Sequence, residues 1–117
     1  MTRQELFEYI NKAYEIKADY PFSDGNETAV FRHTHNRKWF GILMSIPKSR
    51  LGIDSNEVTD VLNIKCDPLI KGNLNSDGGF YPAYHMNKEK WISVLLRDVR
   101  DEENLKWLIN ISFELTK

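Results

Sequence analysis

The chain has 117 residues, of which 41% are hydrophobic and 28% are charged, with a formal net charge of −1. This composition is typical of a globular protein and far from that of a disordered chain, and we expect one domain spanning residues 1–117. A net charge this small neither attracts nor repels DNA to a useful degree, so the overall charge does not indicate a nucleic-acid partner. Cys66 is the single cysteine, which excludes an intrachain disulfide.

The first residues, Met-Thr-Arg-Gln-Glu, lack the apolar stretch of a secretory signal. The longest apolar runs, such as residues 91–96, are too short to span a bilayer. A lone cysteine agrees with a reducing compartment. We therefore expect a cytosolic protein that has no membrane partner.

The first predicted element is a helix over residues 3–15. Thr2-Arg3-Gln4-Glu5 has the pattern of a capping box, in which two side chains satisfy free amides at the helix start. Apolar residues then recur at helical spacing: Leu6, Phe7, Ile10, Ala13 and Tyr14. Tyr20-Pro21 and Ser23-Asp24-Gly25-Asn26 predict the loop that follows.

Three strands are predicted next, over residues 28–33, 38–46 and 58–66, with a turn at 35–37. Alternation in the second strand separates two faces: Phe40, Ile42, Met44 and Ile46 on one, Trp39, Gly41, Leu43 and Ser45 on the other. In the third strand it places Leu62, Ile64 and Cys66 on the apolar face. The strands predict an antiparallel sheet with one solvent-facing side.

The rest of the chain predicts a short helix, further strands and a terminal helix. Asp67 caps and Pro68 opens a helix that runs to about residue 74. A turn at 77–79, an extended segment at 80–86 that Pro82 interrupts, and a strand at 91–96 follow. Asp101 caps the final helix, whose inner face comprises Leu105, Leu108, Ile109, Ser112 and Phe113, widened by Trp107 and Ile111. The order predicts an α+β fold, with the N- and C-terminal helices packed on one face of an antiparallel sheet.

Two groups of residues are the first candidates for chemistry. A nucleophilic cysteine needs a neighbour that stabilises its thiolate, whereas the strand pattern predicts that Cys66 is buried and that Asp67 raises its pKa. His33 and His35 are two possible ligands where a metal site needs three or four, and we expect them at an exposed hairpin tip. The sequence predicts no metal site, no cofactor and no catalytic residue, and favours a binding module over an enzyme.

Charge is distributed unevenly along the chain. No acidic residue occurs between Thr28 and Ile53, whereas from Asp54 onward eleven acidic residues outnumber eight basic ones. The acid-free segment carries the predicted nucleic-acid-binding residues Arg32, His33, Arg37, Lys38, Lys48 and Arg50. Cationic residues on a hairpin bind phosphates without reading base sequence. We therefore predict weak, non-specific DNA binding, with solvated surface charge as the alternative.

A second candidate region is Tyr84, His85, Asn87, Lys88 and Trp91. One interpretation is a pocket for a small molecule or a protein partner, in which histidine and lysine lie beside aromatic walls. The other is a turn in which Asn87 bonds the backbone, Lys88 is solvated and Trp91 fills the core. The sequence leaves both interpretations open, as it does the oligomeric state.

Several strings of residues resemble the MmcQ/YjbR family of small bacterial proteins. They are Tyr20-Pro21-Phe22, Asp24-Gly25, Lys38-Trp39-Phe40-Gly41, Lys65-Cys66-Asp67-Pro68, and Tyr81-Pro82-Ala83-Tyr84-His85-Met86-Asn87-Lys88 leading to Trp91. The resemblance implies a frataxin-like (CyaY-like) fold, described as a double wing and proposed on fold grounds to bind DNA. It implies no catalytic residues. The acidic ridge with which frataxins bind iron is not matched, because the first helix mixes Glu5 and Glu8 with Arg3 and Lys12.

Overall fold

A computed structural model describes residues 1–22, 28–75 and 78–117 of the chain. Its helices are α1 (Arg3–Tyr14), α2 (Pro68–Lys71) and α3 (Glu102–Leu115), and its strands are β1 (Ala29–Arg32), β2 (Trp39–Pro47), β3 (Val58–Lys65), β4 (Phe80–Pro82) and β5 (Trp91–Leu95). The strands form an antiparallel sheet in the order β1-β2-β3-β5-β4. The turn residues predicted at 23–26, the Asp24-Gly25 pair and Asp77 lie outside the described residues.

Helix starts follow the predicted capping chemistry. The Thr2 hydroxyl accepts the Glu5 amide at 3.1 Å, and the Glu5 carboxylate accepts the Thr2 amide at 2.9 Å. The bonds from Thr2, that of its backbone first, lower the pKa of Glu5. Asp67 and Asp101 cap α2 and α3 by accepting the amides of Leu69 and Asn104. The three predicted starts are confirmed, although α2 ends at Lys71 rather than near residue 74.

The main core lies between the two terminal helices and one face of the sheet. Leu43, Leu62 and Val94 form one row across β2, β3 and β5, and they belong to one buried cluster with Leu6 and Ile10 of α1 and Leu105, Leu108 and Ile109 of α3. The predicted fold class is therefore confirmed. Cys66 belongs to the same cluster at 2% exposure, and burial first and Asp67 second raise the pKa of its thiol, as expected.

A β-bulge changes which side chains of β2 share a face. Phe31 pairs with Gly41 but Arg32 pairs with Trp39, so Phe40 is an extra residue opposite β1. Its ring packs with the core, 5.1 Å from the Phe113 ring, whereas Ile42 and Met44 lie on the opposite face. The predicted grouping of Phe40 with Ile42, Met44 and Ile46 is wrong, because the bulge shifts the alternation by one residue.

Ser112 of α3 holds the bulge in place. Its hydroxyl donates to the Phe40 carbonyl at 2.6 Å and accepts the Lys65 amide at 2.8 Å. The helix thereby satisfies one backbone group from each of the two strands at the point where their ladder ends. The bulge is thus coupled to α3 by a fully buried side chain.

The second face of the sheet is not solvent-facing, and this prediction is also wrong. Val30, Ile42, Val61 and Leu95 lie there with 4% exposure or less. The segment predicted as extended over residues 80–86 is a strand only to Pro82, and the residues after it fold over this face. Trp107 differs from prediction too, since it is 52% exposed rather than part of the inner face of α3. None of the described helices is long and apolar enough to cross a membrane.

Candidate functional site: a groove on the second face of the sheet

A groove of about 380 Å³ lies on the sheet face opposite α1 and α3, and we call it the open-face groove. Its floor is mostly apolar, and its two side walls are largely aromatic. The floor comprises Ile42, Met44, Ile46 and Asn63, one wall Phe22 and Trp39, and the other Tyr84, His85 and Met86. The volume and lining are those of a small-molecule site, apolar with a few polar groups.

A buried hydrogen-bond network holds the wall that contains Tyr84. Asn63 and Ser93 face each other across β3 and β5, and both are fully buried. Asn63 Nδ2 donates to the Tyr84 carbonyl at 2.9 Å, and Ser93 Oγ accepts the Tyr84 amide at 2.9 Å. The Ser93 hydroxyl in turn donates to Asn63 Oδ1. Tyr84 is thus fixed to the sheet through both of its backbone groups; we call this arrangement the Tyr84 clamp.

His85 supplies the groove with a polar, titratable side chain. Its backbone adopts φ 60°, a left-handed conformation that is uncommon for residues other than glycine. Its ring lies 3.9 Å from the Tyr84 ring, between centroids, and is exposed. Among the described residues that line the groove, His85 is the one with an imidazole ring, which has two polar nitrogens. It can therefore donate to or accept from a bound molecule.

The opposite wall is an aromatic pair backed by a cation. Phe22 and Trp39 meet edge to face at 5.9 Å, and the Arg32 guanidinium lies 5.5 Å from the centre of the Trp39 ring. Arg32 Nε is 3.0 Å from Asp19 Oδ2, but the buried Nε lacks the alignment of a hydrogen bond. We treat this contact as a charge interaction, which together with the cation–π contact orients Trp39.

The structure brings together only part of the second predicted region. Tyr84 and His85 line the groove. Asn87 forms a turn, since its Oδ1 accepts the Glu89 amide at 2.8 Å and its carbonyl accepts the Trp91 amide at 2.9 Å. Lys88 borders a different cavity, and Trp91 is half-buried on β5 opposite Lys65.

Several groove residues were missed from the sequence, above all Trp39, Met44 and Met86. A signal did exist, because alternation put Ile42, Met44 and Ile46 on one face. Nothing local in the sequence, however, indicates that residues 84–86 fold back beside that face. Long-range pairing between Asn63 and Tyr84 creates the site.

Acidic residues from outside the acid-free segment pair with part of the predicted basic hairpin. Asp19 Oδ2 lies 3.0 Å from Arg32 Nε and 3.7 Å from an Arg37 terminal nitrogen. Glu57 lies 3.0 Å from the Lys48 ammonium, and the hydrogen bond that Lys48 donates to the Glu57 carboxylate raises the pKa of Lys48. Three of the five cations that were predicted to face phosphates therefore already have a carboxylate partner.

His33 is buried, so the prediction of an exposed histidine tip is wrong for this residue. It is 2% exposed, and its Nε2 lies 2.9 Å from Thr116 Oγ1 at the end of α3. Packing against Phe113, at 4.3 Å between ring centroids, draws the side chain inward. His35 is exposed beside it, with the two rings 5.4 Å apart. Because the His33 ring is buried and its Nε2 is hydrogen-bonded to Thr116, this side chain does not face a phosphate.

The two remaining cations, Lys38 and Arg50, lie far apart. Both are exposed, and neither lies within ion-pair distance of a carboxylate in the described part of the chain. Lys38 precedes β2 and Arg50 follows it, and nine strand residues at roughly 3.3 Å each separate them by about 30 Å. They do not form one continuous basic surface.

Metal-binding residue types are dispersed over the part of the chain that the structure describes. There, no three His, Cys, Asp or Glu side chains come close enough together to hold a metal ion. The rings of His33 and His35, the pair considered from the sequence, lie 5.4 Å apart, and the Nε2 of His33 is hydrogen-bonded to Thr116.

The sequence matches the YjbR family model over residues 12–115. The match covers most of the chain, so the protein belongs to the YjbR family, as the resemblance predicted. The chain is 38% identical to YyaQ of Bacillus subtilis, described as uncharacterised, over all of this chain and 99% of that protein.

Solved structures of similar proteins show the same fold. A crystal structure of a Pseudomonas syringae protein is 43% identical and covers the whole of both chains with a TM-score of 0.94. Deinococcus radiodurans protein DR2400 is 23% identical with a TM-score of 0.71 over 97% of this chain and 77% of that one, a likeness of fold alone. None of these descriptions names a ligand, a double wing or a frataxin-like fold, so those features stay predictions.

Proposed function

We propose that this YjbR-family protein binds a small, largely apolar aromatic molecule in the open-face groove. The observation that carries the proposal is the Tyr84 clamp, which uses a fully buried polar network to hold an aromatic wall beside an apolar floor. Buried polar networks are costly unless fully satisfied, and this one stabilises the shape of a cavity. A preformed wall reduces the ordering cost of binding.

The lining defines the class of ligand. An aromatic body would contact Trp39, Tyr84 and Met44, which offer ring faces and a polarisable side chain. One polar substituent of the ligand would bond to His85. Asn63 is fully buried, and its amide nitrogen and oxygen each already make one bond in the Tyr84 clamp, so the polar substituent is assigned to His85 rather than to Asn63. A cytosolic location, expected from the sequence, is part of this proposal.

Filling the groove should weaken binding. Met44→Trp places a larger side chain on the groove floor without removing a hydrogen bond, and Met44→Leu is the volume-conserving control. We expect the neutral probes indole and 2-naphthol to shift the amide resonances of Tyr84 and His85 and the indole resonance of Trp39. Met44→Trp should weaken both probes by about tenfold or more, and Met44→Leu should leave them nearly unchanged. Shifts centred elsewhere, or equal affinity in both variants, would refute the proposal.

Weak contact with DNA is a second candidate function, supported by the exposed cations Lys38 and Arg50 alone. Five phosphate contacts would make the logarithm of affinity fall with the logarithm of salt at a slope of about −4.5, whereas two give about −1.8. We expect the shallow slope in fluorescence anisotropy titrations of a DNA duplex at several salt concentrations. The intramolecular ion pairs of Arg32, Arg37 and Lys48 are the reason.

Paired variants separate this contact from general charge effects. Lys38→Gln with Arg50→Gln should abolish the remaining affinity, while Lys90→Gln with Arg100→Gln removes the same charge from exposed positions outside the hairpin. An equal loss of DNA affinity in both pairs of variants would indicate general electrostatic attraction rather than a defined binding site. A slope near −4.5 would mean that DNA displaces Asp19 and Glu57.

A further inference from the structure

A second cavity of about 390 Å³ lies between α2, β4 and the turn after Tyr84, and we call it the lysine cavity. Phe80 and Ile92, which belong to the main core, line its apolar interior, and Leu74 borders them. Lys71 and Lys88 lie at the same cavity. The turn that carries the family motif thus separates two sites, with His85 at one and Lys88 at the other.

The charged side chains among the described residues of this cavity are of one sign. Of its described lining residues, two are lysines and none is acidic. The Lys71 ammonium donates to the Lys88 carbonyl, which ties α2 to the turn, and its other two N–H groups have no bond in the described part of the chain. The Lys88 side chain is exposed and has no ion pair with a described residue.

We propose that the lysine cavity binds a small organic anion with an apolar body, of the medium-chain carboxylate class. Phe80, Leu74 and Ile92 would bury the apolar body, and the two ammonium groups would bond to the carboxylate oxygens with charge-assisted hydrogen bonds. A neutral molecule gains only the apolar contact, and a cation is repelled. The site is separate from the open-face groove and does not depend on the function proposed for that groove.

Titration of the full chain with octanoate, octanol and octylammonium tests the charge requirement. We expect octanoate to shift the amide resonances of Leu74 and Ile92 and to bind about tenfold more tightly than octanol, with octylammonium weaker still. The preference should shrink as salt is added, because both lysines are at least partly exposed. Equal affinity for octanoate and octanol would overturn the proposal, as would shifts confined to Trp39 and Tyr84, which report the open-face groove.

Single substitutions of the lysines test which ammonium groups bind the carboxylate. Lys71→Met and Lys88→Met should each weaken octanoate by about tenfold, Lys88→Arg should retain binding, and Lys90→Met removes a nearby exposed lysine that does not line the cavity. Lys88 anchors α2 through its backbone carbonyl, which Lys88→Met keeps, so this variant tests the charge even if Lys71→Met is unstable. Octanoate affinity unchanged in Lys88→Met, or equally reduced in Lys90→Met, would refute the site.

Discussion

Replacing Asn63 with alanine is expected to lower the free energy of unfolding by about 3 kcal/mol. The change removes the donor to the Tyr84 carbonyl and the acceptor of the Ser93 hydroxyl, so the carbonyl loses its bond and the hydroxyl proton loses its acceptor, while Ser93 Oγ still accepts the Tyr84 amide. An unsatisfied buried polar group costs about 1–3 kcal/mol. Urea denaturation measures the loss, and amide exchange at Tyr84 and His85 shows whether the groove wall has been released.

A double-mutant cycle with Ser93→Ala supplies the control. Ser93 accepts the Tyr84 amide and donates to Asn63, so the two side chains act on the same residue. The double variant should therefore lose less stability than the sum of the single variants. Additive losses, or a change below about 0.5 kcal/mol in Asn63→Ala, would contradict the Tyr84 clamp.

Replacing His33 with alanine is expected to cost about 2–3 kcal/mol. The ring packs 5.3 Å from Phe40 and 4.3 Å from Phe113, between centroids, and joins the β1–β2 hairpin to the end of α3. The Thr116 hydroxyl donates its proton to the Ser112 carbonyl at 2.7 Å, so its oxygen accepts from His33 Nε2. Thermal unfolding should show the loss, while His35→Ala, at an exposed ring, should stay within about 0.5 kcal/mol of the parent.

The stability of the protein should also depend on pH through His33. Burial first, then the neighbouring His35 and Lys117, lower the pKa of His33 from 6.5, while the Phe113 carbonyl and Glu114 oppose this shift. Below pH 6.5 the unfolded chain takes up a proton that the folded chain does not, so stability falls as the pH decreases toward the lowered folded pKa. Above pH 6.5 this contribution is constant.

The variant His33→Gln isolates this dependence, because glutamine donates a hydrogen bond but does not titrate. Histidine ordinarily titrates between about pH 5 and 8. Over that range, the free energy of unfolding of His33→Gln should depend less steeply on pH than that of the parent protein. A parental slope in His33→Gln would assign the titration to other groups.

Much of the fold followed from local rules. Capping residues, apolar spacing and alternation predicted α1, α3, β1, β2, β3 and β5 close to their observed bounds. Each of these signals depends on residues that are only a few positions apart, so the sequence shows it directly. The burial of Cys66 followed for the same reason.

Less of the candidate site could be predicted. Tyr84 and His85 were singled out from an unusual string of residues, yet Lys88 lies at another cavity. The basic hairpin was inferred from a stretch without acidic residues, and Asp19 and Glu57 then proved to be ion-pair partners. Proximity in sequence was a poor guide to proximity in space for charged side chains, because their partners come from other segments.

By itself, the amino-acid sequence determined the family, the α+β class, the helix caps and the apolar residues from which the core is built. The tertiary structure alone decided that Phe40 sits in a bulge, that residues 83–87 cover the second face, and that two cavities flank one motif. The physical reason is the range of the interactions. Caps and alternation depend on neighbours along the chain, whereas the bulge depends on Ser112 and the groove on Asn63 and Ser93 meeting Tyr84 across the sheet.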